Sequence, residues 1–121
     1  MASRSLVLKV TAGKDEPERC NQAFTVAATA AVSGVPVSLW LTGEASWFAL
    51  PDGCGDLELP HATPLPDLFA RILEAGTITL CTQCAARREI GESDVVEGVR
   101  IAGAATFVAE ALADGAQALV Y

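Results

Sequence analysis

Thr77-Ile78-Thr79-Leu80-Cys81-Thr82-Gln83-Cys84-Ala85-Ala86-Arg87-Arg88 changes character part-way along. Its first residues are β-branched or apolar, as in a strand. Its last are good helix formers with charged side chains for a helix surface. The switch from strand to helix therefore falls on Cys81 and Thr82. Cys81 and Cys84 then sit at the first turn of a helix, where unpaired backbone N–H groups and the helix dipole favour an anion. A thiolate is such an anion, and thiols so placed commonly have depressed pKa values.

The alternation continues outward in both directions. Upstream, Pro64 to Ala75 reads as a helix with Leu68, Phe69, Ile72 and Leu73 inward, closed by Gly76. Before it, Pro51 to Thr63 is a long irregular stretch holding Cys54 and His61, of the size that is usually functional or mobile. Thr42-Gly43-Glu44 turns into a short helix over Ala45 to Leu50, and Val35 to Leu41 reads as a strand. Pro17 fits the first turn of a helix running to about Val32 and ended by Ser33-Gly34. Leu6 to Val10 is a strand apolar enough to lie inside a sheet covered on both faces. Downstream, Val99 to Ala102 is a strand, Gly103 opens a helix through Leu112, and Ala118 to Tyr121 is a last strand. Strands at about 5–10, 35–41, 77–81, 99–102 and 117–121 alternate with helices, which predicts an α/β fold with a parallel sheet. In such sheets ligands sit beyond the carboxyl ends of the strands. Thr11 to Lys14, Thr42 to Glu44, Cys81 to Cys84 and Gly103-Ala104 all fall there.

A chain of 121 residues, 51% hydrophobic, is expected to form one domain over residues 1–121 with a real core. Its net charge of −7, with no Lys/Arg cluster beyond Arg87-Arg88, argues against a nucleic-acid partner. No apolar run reaches the roughly 20 residues that span a bilayer, and the start lacks the pattern of a signal peptide. The expected setting is cytoplasmic, where four cysteines are reduced, catalytic or metal-binding rather than bridged.

Among the candidate residues, Cys81 and Cys84 form a C-x-x-C pair: a nucleophilic or sulfur-carrying thiol and its resolver, or else two small apolar residues in a core. Zinc needs four ligands, and Cys20, Cys54, His61, Cys81 and Cys84 are scattered with no second C-x-x-C. No metal or cofactor is expected. His61, the single histidine, reads as solvated. Cys20 belongs to a helical apolar stripe, and Cys54 reads as exposed. Gly13-Lys14 is neither a phosphate loop nor a dinucleotide fingerprint. Trp47 and Phe48 are the expected exposed apolar patch.

Four of these segments together resemble the DsrE/DsrF-like family, which includes intracellular sulfur-relay subunits. They are the first strand with Thr11 to Arg19, Gly34 to Glu44, Cys81 to Ile90, and Val99 to Phe107. The resemblance implies a three-layer α/β/α sandwich with a five-stranded, largely parallel sheet, and assembly into homo-oligomers, usually trimers or hexamers. In sulfur-relay members the sulfur-carrying cysteine precedes a short helix ending in Arg-Arg-Gly. Setting Arg87 and Arg88 on that pair brings Cys81 onto the sulfur-carrying position, with Cys84 as its partner and Glu89 where many members have glycine. The implied function is persulfide transfer by a sulfurtransferase-like protein exchanging sulfur with donor and acceptor proteins. The other reading is a non-catalytic oligomeric binding or assembly module.

Overall fold

Alternation along the first strand, β1 (Ser5–Val10), sends Leu8 and Val10 to one side and Val7 and Lys9 to the other. A computed structural model of the chain, which describes residues 4–52 and 55–121, carries that alternation through a whole sheet. The remaining strands are β2 (Val37–Leu41), β3 (Thr77–Cys81), β4 (Arg100–Ala102) and β5 (Ala116–Val120). They line up in the order β4-β3-β2-β1-β5, and every neighbouring pair is parallel. The predicted α/β class with a five-stranded parallel sheet is therefore the observed one.

One face of the sheet presents Leu8, Val10, Leu39, Leu41, Ile78 and Leu80, all fully buried. Two helices cover it, α1 (Pro17–Val32) and α2 (Leu65–Ala75). Pro17 occupies the first turn of α1, where its missing N–H is no loss. The buried stripe of α1 is Cys20, Ala23, Phe24, Ala27, Ala28 and Ala31, so the expected place of Cys20 holds. Small alanines let that helix lie close to the strands, and Phe24 fills the space between layers. Its ring meets Phe48 edge-on at 5.9 Å and stacks on Phe69 at 6.4 Å. Burial of an aromatic side chain of this kind contributes about 1.5–3 kcal/mol.

The other face is different. It carries Lys9, Ser38, Trp40, Thr79 and Arg100, joined by α4 (Ala104–Ala111), which follows β4. Phe107 of that helix stands edge-on to Trp40 at 5.4 Å. Glu110 accepts hydrogen bonds from Ser38 Oγ at 2.6 Å and Trp40 Nε1 at 2.9 Å, and it pairs with Arg100. Thr79 Oγ1 accepts from Arg100 Nε at 2.6 Å. Polar anchoring joins the packing of buried Val7 and Trp40 here, and no residue of β4, α4 or β5 is buried.

Two expectations change on this fold. The short helix after β2 is a 3-10 helix, Gly43–Ala49. It does not form an exposed patch, because Phe48, 6% exposed, is drawn into the core by Phe24, and Trp47 is half-buried under Arg88. The exposed large apolar side chains on the polar-faced side are instead Val108, Leu112 and Val120. No described helix is long and apolar enough to cross a membrane.

Candidate functional site

Cys81 is the last residue of β3 and the N-cap of α3 (Thr82–Arg87), with extended backbone (φ −63°, ψ 131°). The chain therefore leaves the sheet and enters the helix at this residue, as the sequence predicts. Its side chain is half-buried. Alternation along β3 places it on the same face as Thr79, the face that carries Lys9 and Trp40. Cys84, one turn into α3, is 8% exposed. Both are free thiols.

Polar groups surround both sulfurs. The backbone N–H of Gly43 donates to Cys84 Sγ at 3.3 Å. The Cys84 side chain and the backbone N–H groups of Cys84 and Gln83 face the Cys81 sulfur and favour its charged form, although Cys81 closes no cap hydrogen bond to them. Partial burial by itself raises the Cys81 pKa. The two N–H groups, the Cys84 thiol and the positive charge of Lys9 outweigh it, and the pKa falls below its ordinary 9.0. The surroundings of Cys81 thus favour its thiolate.

The Gly43 donor depends on how tightly the strand-end loops pack. Gly43 has φ +53°, and a Cβ on it would lie 2.5 Å from the Thr11 carbonyl oxygen. A side chain is excluded by conformation and by contact with the loop after β1. Arg88 fixes the other partner. Its Nη1 donates to the Cys84 carbonyl at 3.3 Å, its Nη2 pairs with Glu44 Oε2 at 2.9 Å, and its guanidinium lies over Trp47. One side chain therefore fastens α3 to the 3-10 helix, and Cys84 to Gly43.

The predicted Cys81 and Cys84 are brought together. His61 lies exposed on the long loop with φ +63° and makes no hydrogen bond with either thiol. Cys54 lies outside the described residues. No cluster of three or more His, Cys, Asp or Glu among the described residues is arranged to hold a metal ion. Arg87 is exposed, and Arg88 acts as a clamp. Sequence reasoning missed Lys9 and Gly43. The signal for Lys9 was present: a charged residue inside an otherwise apolar strand. The signal for Gly43 was weaker, since a glycine after a strand reads as an ordinary turn. An open apolar groove elsewhere, lined by Phe48, Leu50, Leu65, Phe69, Leu73 and Val96, includes neither thiol.

Comparison with solved structures finds the same fold. The YchN protein from E. coli superposes with a TM-score of 0.80 at 15% identity, covering 98% of this chain and 99% of that one. MTH1491, a protein of unknown function from Methanobacterium thermoautotrophicum, gives 0.70 at 7% identity, covering 99% and 100%. No curated protein matches the sequence. The model of the DsrE/DsrF-like family matches residues 4–121, and the chain belongs to that family.

Proposed function

We propose that this protein carries sulfur on Cys81 as a persulfide and passes it to a partner. The observation that supports this most directly is the place of Cys81 at the N-cap of α3 on the sheet face of Lys9, where the first-turn N–H groups, the Cys84 side chain and the Lys9 charge favour its anion. The Cys81 thiolate attacks the terminal sulfur of a donor persulfide. A new S–S bond forms at Cys81, the donor's S–S bond breaks, and its electron pair leaves on the donor's remaining sulfur as a thiolate. Delivery repeats the step with an acceptor thiolate attacking the terminal sulfur on Cys81. Neither half consumes an oxidant. Cys84 shelters the persulfide. Should it attack the inner sulfur instead, a Cys81–Cys84 disulfide forms and hydrosulfide leaves.

The setting proposed is the cytoplasm, and the acting species a homo-oligomer, a trimer or hexamer. Exposed Val108, Leu112 and Val120 beside a thinly covered sheet face support association. Mass spectrometry of the protein as isolated from cells is expected to find one added sulfur on Cys81. A pH series of alkylation rates is the kinetic test. Wild type and Cys84→Ser keep a fast-reacting thiol near neutral pH, and Cys81→Ser loses it. If Cys81→Ser keeps it, the carrier is Cys84.

A second reading, a non-catalytic binding module, draws support from the open apolar groove beside α2. Slow alkylation of both thiols in the folded wild type favours it.

A further inference from the structure

Lys9 is a half-buried lysine in the middle of the sheet. Among the described residues it has no carboxylate partner, and its Nζ rests 4.3 Å from the centroid of the Phe107 ring. The other cation on this face, Arg100, is neutralised by Glu110. A lysine can pack its stem and keep its charged head accessible, so an ammonium resting on an aromatic ring with no carboxylate beside it is available to an incoming negative group. The register shows where such a group would lie. Lys9 pairs with Trp40, and Trp40 with Thr79, so two inter-strand spacings, about 9–10 Å, separate Lys9 from Thr79. Cys81 is two residues, about 6–7 Å, further along β3 on the same face. The lysine stem and the cysteine side chain close part of that distance, and the charge of Lys9 is felt at the thiol.

From the shared sheet face, the missing counter-ion and the neighbouring nucleophile we infer that Lys9 is the anion-binding residue of the Cys81 site, selecting sulfur donors that are themselves small anions. The inference rests on the proposed sulfur-carrying role of Cys81 and adds the substrate class. In the transfer step the donor's remaining sulfur departs with an electron pair. Lys9 faces the negative charge that the bound donor brings and the leaving group keeps. The aromatic ring holds the ammonium in place without neutralising it.

A change in thiol acidity alters all alkylation rates together, so the test is a ratio. Iodoacetate is an anion and iodoacetamide a neutral reagent of similar size, and both attack the same thiolate. The ratio of their rates at Cys81, followed by mass mapping on the full chain, therefore cancels the thiolate fraction. In Lys9→Met the iodoacetate-to-iodoacetamide ratio is expected to fall about fivefold at low ionic strength, with a smaller fall in high salt. Lys9→Arg is expected to keep most of it. Loading of Cys81 by glutathione persulfide, divided by the iodoacetamide rate, should fall in the same order. An unchanged ratio in Lys9→Met with Cys81 still reactive overturns the role of Lys9 and leaves the sulfur-carrying reading standing. Slow reaction of Cys81 with both reagents in the wild type overturns both.

Discussion

Glu89 has φ +56°, the left-handed region, one residue past the cap of α3. Its N–H donates to the Ala86 carbonyl, and the next residue, Ile90, donates to Ala85 at 2.9 Å. These bonds close the helix as a left-handed C-terminal cap, a position usually taken by glycine. The Cβ of a glutamate there costs roughly 1–2 kcal/mol, partly offset because glycine loses more chain entropy on folding. Glu89→Gly is expected to raise stability by about 0.5–1 kcal/mol in urea unfolding. A loss of stability would show that the glutamate side chain contributes something its exposed position does not reveal.

The residues legible in advance were those whose role follows from local pattern. Cys81 was placed at a strand-to-helix switch by composition alone, and it caps α3. Gly43 was legible only as a turn, because its partner Cys84 is 41 residues away. Phe48 was misplaced for the same reason. On a short isolated helix it reads as exposed, and only the long-range contact with Phe24 shows it to be core. Ser46 could not have been anticipated either. It is fully buried, and among the described residues no group reaches its hydroxyl.

At the scale of elements, boundaries marked by proline and glycine agreed closely with the structure. The span predicted for α1 is the span observed, Pro17–Val32, and β3 is Thr77–Cys81. What sequence could not supply was how elements are fastened together. Arg88 is such a fastening, joining α3 to the 3-10 helix. Replacing it with methionine should cost about 1 kcal/mol, since the ion pair is partly exposed and the hydrogen bond contributes most. Cys84 should then be alkylated measurably faster in the folded protein, read by mass mapping. Unchanged protection of Cys84 would mean that α3 is held by packing alone.

Glu110 is the corresponding fastening of α4. Burial raises its pKa, and the bonds from Ser38, Trp40 and Arg100 more than reverse this, leaving it below the ordinary 4.5. A carboxyl depressed in the folded state stabilises fully above its unfolded value, and the contribution is lost as pH falls through the folded one. Stability of the wild type should therefore decline below about pH 4.5 more steeply than that of Glu110→Gln. Parallel acid profiles would mean that the carboxylate adds nothing over a neutral amide.

For the whole molecule, the contrast between the two sheet faces matters most. Parallel sheets are normally covered on both sides. Here α1 and α2 seal one side completely, whereas the eight-residue α4 lies over the other with no residue buried. Leu112 is 79% exposed at its end. A second copy seated there would hide this surface, and a stable contact buries about 800 Å² on each partner. Light scattering at micromolar concentration is expected to give a multiple of the single-chain mass. Leu112→Lys should lower that multiple, and a single-chain mass for the wild type would overturn the assembly.

The strand order has a consequence for how the chain reaches this state. β1 lies between β2 and β5. Thr11 and Tyr121, which close the far end of the β1–β5 pair, are 110 residues apart in sequence. During synthesis β1 can pair on one side with β2 early, but its other side stays an open edge until the last strand has emerged. Such an edge invites pairing with other chains, and contacts so distant in sequence slow folding. Lys9 lies on that strand, so the ground beside Cys81 is settled only when β5 docks. Of the whole sheet, the pairing that completes it is the one a nascent chain must wait longest to make.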